Sequence, residues 1–138
     1  MEVQGMPSES NNKAHTYEEL TPGYEFLPVS YELSAALISK YLEAVDGKDS
    51  EFVPPLAIAA YAITATSSSL TLPPGAIHAS QELEFLKLVP IGAKVNCQAR
   101  VARKLSRGQM HMLVLELTVR DENNEVVQSG RVTVILPA

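Results

Sequence analysis

Few side chains in this 138-residue chain are able to move a proton or attack a bond, and their spacing limits what they can do together. Its three histidines, His15, His78 and His111, lack metal-ligand spacing, so no metal site is expected. His78 sits near the head of the run IHASQELEF, where no sequence neighbour would orient its imidazole as a general base. It reads as a partly buried strand residue with one hydrogen bond. Ser80, Glu82 and Glu84 follow at alternate positions and would share a strand face with His78, a polar stripe that fits the outer face of a sheet better than a pocket wall. Asp46 and Asp49 are carboxylates in DGKDSEF, a stretch without histidine that reads as the solvated loop after a helix. Cys97 falls on the apolar side of an alternating run and is expected to be inert. Ser67, Ser68 and Ser69 read as the fraying end of a helix.

The element that must position these groups is the uncharged stretch Val53 to Leu72, VPPLAIAAYAITATSSSLTL. Pro54 and Pro55 open it at no cost, because the first helical N–H groups have no partner inside a helix. Its apolar residues go nearly all the way round, which predicts a helix buried on nearly all sides. Threonines, serines and alanines make it too weakly hydrophobic for a membrane span. Upstream, Ser34 is placed to cap a helix running to Val45, with Leu37, Ile38, Tyr41, Leu42 and Val45 on one face and Gly47 suited to the left-handed turn that ends it. Between His15 and Ser34, prolines break the pattern into a turn and a short edge strand.

After Gly75 the period changes from that of a helix to that of a strand. Ile77 to Leu86, Lys94 to Val101, Leu113 to Val119 and Val126 to Ile135 read as strands, with turns at Pro90-Ile91-Gly92, Ser106-Arg107-Gly108 and Asp121 to Asn124. Helices followed by an antiparallel meander make an α+β fold, and a long apolar helix ahead of such strands is most simply hidden by a sheet that curves around it. One hot-dog domain is therefore expected over residues 15–138, with about five strands, after a loose polar tail over residues 1–14.

Composition removes several functions. A net charge of −5 argues against nucleic-acid and anionic-membrane partners, which select clustered Lys and Arg. A single cysteine forms no internal disulfide, and the first residues lack the basic and apolar regions of a signal peptide, which points to a reducing cytosol.

The segment His78-Ala79-Ser80-Gln81-Glu82-Leu83-Glu84-Phe85, followed by Pro90-Ile91-Gly92-Ala93-Lys94-Val95, resembles the MaoC-like dehydratases, in which "H-x-x-Q-x-x-E-F" leads to "P-x-x-x-G-x-x-V". The helix pair and the closing Val132-Thr133-Val134 also resemble that family. The resemblance implies a hot-dog protein that handles enoyl or 3-hydroxyacyl thioesters of coenzyme A or acyl carrier protein, with no cofactor, and paired as a homodimer or with a second hot-dog subunit. Active members carry G-D-x-N-P-x-H between the two helices. Here the interval reads Asp46 to Val53 without His or Asn-Pro, so Asp46, Asp49 and His78 are the candidates left for catalysis. Pro54 and Pro55 also remove N–H groups that would bind a thioester oxygen. The chain therefore resembles the non-catalytic halves and subunits of the family, with Pro55, Leu56, Ala59, Tyr61 and Ser68 on the central helix as candidate substrate contacts. Thioester hydrolysis, with Glu51 as the nearest acid to the helix, and a non-enzymatic acyl-binding homodimer are the alternatives.

Overall fold

Alternating apolar residues downstream of residue 75 give four long strands, and the computed structural model describes them together with the rest of residues 15–48 and 50–138. The tail over residues 1–14 and Asp49 lie outside the described residues. After a single 3-10 turn, Tyr17–Glu19, come β1 (Val29–Glu32), α1 (Ala35–Val45), α2 (Pro55–Ser67), β2 (Ile77–Phe85), β3 (Lys94–Arg107), β4 (Met110–Arg120) and β5 (Val126–Pro137). All pairings between these strands are antiparallel, in the order β1-β3-β4-β5-β2. The β3–β4–β5 meander is the one predicted, with longer strands, because Ser106 and Arg107 remain in the ladder and the chain turns at Gly108, whose φ is +60°.

One face of the sheet carries Val95, Cys97, Ala99, Val101, Leu113, Leu115, Leu117, Val132 and Val134, all buried against α2 and the N-terminal segment. The other face carries a ladder of alternating charge in which Arg100 lies opposite Glu116, Glu116 opposite Arg131 and Arg131 opposite Glu82. Glu116 is hydrogen-bonded by both arginines.

Helix α1 starts where Ser34 predicts, its hydroxyl accepting the Leu37 N–H at 3.2 Å. Its end differs from the expectation. Asp46, not Gly47, takes the left-handed conformation, with φ 55°. At Gly47 a Cβ would lie 2.8 Å from Leu42 Cδ2, a side-chain end that can move aside, and the Gly47 N–H donates to the Leu42 carbonyl at 2.8 Å. Val45, expected on the buried face, is exposed.

Helix α2 covers the sheet but is not enclosed. Ala57, Ile58, Ala59, Ala62, Ala65 and Thr66 are buried, while Leu56, Ala60, Thr64 and Ser67 form an exposed stripe. The expectation of burial on nearly all sides fails because the five strands lie to one side of the helix and nothing within the described chain covers the other. The helix also ends at Ser67, short of Leu72: Ser68 and Ser69 turn their hydroxyls back onto the Ala65 carbonyl at 2.9 and 3.4 Å. Among the described residues no helix is long and apolar enough to cross a membrane.

Candidate functional site at the junction of the central helix and the edge strand

The early end of α2 leaves a gap. Beyond Ser67 the chain leaves the helix axis through Leu70–Ala76 before entering β2. The result is a cavity of about 250 Å³. Leu115 and Leu117 of β4 and Val132 and Val134 of β5 form its floor, Ile63, Thr66 and Ser67 of α2 one wall, Leu70, Leu72 and Ala76 of the connection another, and the exposed Ile77 and His78 of β2 the rim. The Thr66 hydroxyl donates to the Ala62 carbonyl at 2.9 Å and is thereby spent within the helix. No carboxylate, lysine or arginine lines the space. An uncharged apolar hollow with few polar groups is what an aliphatic chain requires, and the imidazole of His78 is the one ionisable group on it.

His78 reaches this position through a β-bulge. It lies opposite Val134 and Ser80 lies opposite Thr133, so Ala79 is an extra residue in the ladder. That insertion corrects the predicted stripe: His78 shares the inner face with Gln81, Leu83 and Phe85, whereas Ser80, Glu82 and Glu84 are on the charged outer face. The expected hydrogen bond to His78 is not found, since its ring has no partner among the described residues and the residue is exposed.

The remaining candidates lie elsewhere. Asp46 is exposed at the end of α1, and the structure does not bring it into contact with His78. The interval after it is stitched to the β2–β3 connection instead, by Val53 N–H to the Val89 carbonyl at 2.8 Å and Ile91 N–H to the Glu51 carbonyl at 3.1 Å. At the start of α2, Ala57 spends its N–H on the Pro54 carbonyl at 2.9 Å, beside two prolines that have none. Gln128, 3% exposed, donates from Nε2 to the Pro55 carbonyl at 2.7 Å and ties this end of the helix to β5. Leu56 is on the open stripe, Ala59 is in the core, Tyr61 stacks on Tyr31 with ring centroids 5.3 Å apart, and the Ser68 hydroxyl donates to the Ala65 carbonyl. None of these five lines the cavity. Burial raises the Tyr31 and Tyr61 phenols above their ordinary range, which keeps both neutral. Cys97 is buried, and its thiol is pushed up to about 12 by desolvation, so it is the inert core residue predicted. His111 stacks on Tyr17 at 4.4 Å and contacts Ser106 through Nδ1 at 2.8 Å, a hairpin packing role. No group of three or more His, Cys, Asp or Glu among the described residues is arranged to hold a metal ion.

A five-stranded antiparallel sheet laid against one long helix has a name among known structures. Neither a family model nor a curated protein sequence matches this chain. Solved structures do. The chain is similar to the MaoC-like dehydratase from Rhodospirillum rubrum, with TM-score 0.73, 20% identity, and 88% of this chain and 95% of that one covered. A Mycobacterium tuberculosis protein described as having a double hot-dog fold matches with TM-score 0.76, 17% identity, and 91% of this chain against 44% of that one. The chain has the hot-dog fold. A third likeness is to the HadBC complex from Mycobacterium tuberculosis, a 3R-hydroxyacyl-ACP dehydratase, with TM-score 0.69, 15% identity, and 83% and 96% of the two chains covered. At these identities the shared property is the fold.

The sequence pattern makes Val126 to Ile135 a strand but gives no sign of a hollow beside it. Ile63, Thr66, Leu70 and Leu72 were missed because the cavity walls come from segments far apart in the chain. The usable signal was the Ser67-Ser68-Ser69 run, which ends the helix early.

Proposed function

We propose that this chain binds the acyl group of a fatty acyl thioester, on coenzyme A or acyl carrier protein, and serves as the substrate-binding subunit of a hot-dog dehydratase. The observation that carries this reading is the uncharged cavity with one imidazole on its rim and no carboxylate beside it. Dehydration of a 3-hydroxyacyl thioester needs a base at the α-carbon and an acid at the leaving hydroxyl. A lone imidazole with nothing to orient it does not supply both members of that pair. Of Asp46, Asp49 and His78, His78 is the residue we assign to the thioester end of the ligand, and the proton-transfer pair comes from a second chain.

The surface supports such a partner. All nine residues of β2 are exposed, and the strand is an edge of the sheet. Leu83 and Phe85 on its inner face, then Leu86 and Leu88 beyond it, present apolar side chains to solvent, with Phe85 47% exposed. A free hydrogen-bonding edge beside exposed aliphatic and aromatic groups is a pairing surface. The HadBC complex gives a precedent for two hot-dog chains assembled in one dehydratase. A second hot-dog chain along β2 would extend the sheet and cover the open stripe of α2. We place the protein in the cytosol, where Cys97 stays reduced.

The test is hydration of crotonyl-CoA followed at the enoyl absorbance, with the protein alone and with a second hot-dog protein encoded beside it. Activity only with the partner, together with a complex by light scattering, is the expected result. Full activity alone would refute the non-catalytic assignment, and release of free thiol would replace it with hydrolysis.

A further inference from the structure

The cavity between α2 and β2 is not the only hollow at this end of the molecule. A second one, of about 580 Å³, lies on the other side of the Leu70–Ala76 connection, between Pro73, Pro74 and Pro137 and the stacked pair of Tyr17 and His111. Leu72 is the one described residue that borders both. Its backbone neighbours are held: Thr71 N–H donates to the His15 carbonyl at 2.8 Å, His15 N–H to the Ser69 carbonyl at 3.0 Å, and Ala76 N–H to the Pro73 carbonyl at 3.2 Å. Pro73 and Pro74 fix two further φ angles. The hollows are therefore divided by a fixed connection, and Leu72 is the place along it where the two come together.

We propose that Leu72 sets the length of acyl chain this protein accepts, closing the first cavity after about eight carbons. The inference rests on the acyl-thioester reading of that cavity. Each chain carbon fills roughly the ~30 Å³ of a water molecule in the liquid, so 250 Å³ holds about eight. The space beyond is more than twice as large, and it is bordered by Glu18, Thr16 and His111 as well as by the prolines. A longer tail would have to displace Leu72 to reach it. Leu72 is 40% exposed, so its truncation opens the partition without emptying a core position.

The experiment measures the affinity of the full chain for saturated acyl-CoAs of increasing length and, in parallel, for 1-alkanols, which probe the hollow without a thioester. In the wild type, each added methylene up to about eight carbons strengthens binding roughly fourfold, the equivalent of about 0.8 kcal/mol per buried CH₂, and longer chains gain nothing more. Leu72→Ala continues to gain past that length, and Leu72→Phe stops gaining sooner. A wild-type series that climbs without a break to sixteen carbons, or a break that stays in place in both variants, would overturn the assignment. Alkanols that follow the expected pattern while no acyl-CoA binds would refute the thioester reading and leave the Leu72 limit standing.

Discussion

Replacing two aliphatic residues on the same helix, two positions apart, separates its inner face from its outer one. Ile58 is 1% exposed and packs in the core, whereas Leu56 is 57% exposed on the open stripe. Ile58→Ala removes three buried carbons, a loss of about 2.4 kcal/mol at ~0.8 kcal/mol per CH₂. The hollow left behind, on the order of 70 Å³, adds about 1.7 kcal/mol at ~24 cal/mol per Å³. The sum is close to 4 kcal/mol, inside the range of roughly 2–5 kcal/mol for Ile→Ala substitutions in cores. At about 4 °C per kcal/mol for a domain of this size, the midpoint of thermal unfolding falls by ~16 °C. Leu56→Ala costs under ~1 kcal/mol, as surface substitutions do. Urea unfolding followed by circular dichroism measures both, and it should be run at two protein concentrations, because any stabilisation Leu56 provides through a second chain depends on concentration. Equal losses for the two variants, unchanged by concentration, would refute the open outer face of α2.

Three further outcomes follow from the same packing. Gly130→Ala puts a Cβ 2.9 Å from the Glu82 carbonyl oxygen, so β2 is pushed off β5 at a cost of about 1–3 kcal/mol; hydrogen exchange should quicken in β2 and not in β3 or β4, and unchanged protection of β2 would count against the pairing. The hydrogen bond from Arg131, then that from Arg100, holds the Glu116 carboxyl below the usual carboxylate range. A depressed folded value means that this ladder stabilises the fold above the unfolded glutamate value of ~4.3 and is lost as pH falls through the folded value, with at most ~1 kcal/mol at stake. Thermal midpoints should therefore drop more steeply below pH ~4 in the wild type than in Glu116→Gln, and parallel curves would disprove the coupling. Cys97, with its thiol pushed up to about 12 by burial, should resist alkylation at pH ~8 in the folded protein and react in concentrated urea; labelling of the native protein would contradict its place in the core.

The meander was legible because β3, β4 and β5 alternate apolar and polar residues over many positions, a signal that tolerates errors at the ends. Around α2 the same reasoning failed. Alanine does not report which way it faces: Ala57 and Ala59 are buried and Ala60 is exposed, and nothing in their chemistry distinguishes them. The bulge at Ala79 was invisible for a related reason, since a count by twos carries no mark where one residue is skipped, and His78 therefore appeared on the wrong face. Gly47 suits the left-handed turn by residue type, but Asp46, one position earlier, takes it, because a helix end is fixed by where its packing stops as well as by the glycine. The cavity could not be read at all, because it depends on where the chain goes after Ser67 relative to strands that come later.

Among the described residues, strand β2 pairs with β5 alone, a neighbour that it precedes by the whole β3–β4 hairpin. The hairpin is local and closes quickly, but β2 must wait until β5 has been made. During synthesis, Leu83, Phe85, Leu86 and Leu88 thus leave the ribosome before β5, the strand that pairs with this segment, has been made. Glu82 and Glu84, interleaved with those apolar residues, act as gatekeepers that keep nascent chains from adding to one another through this segment.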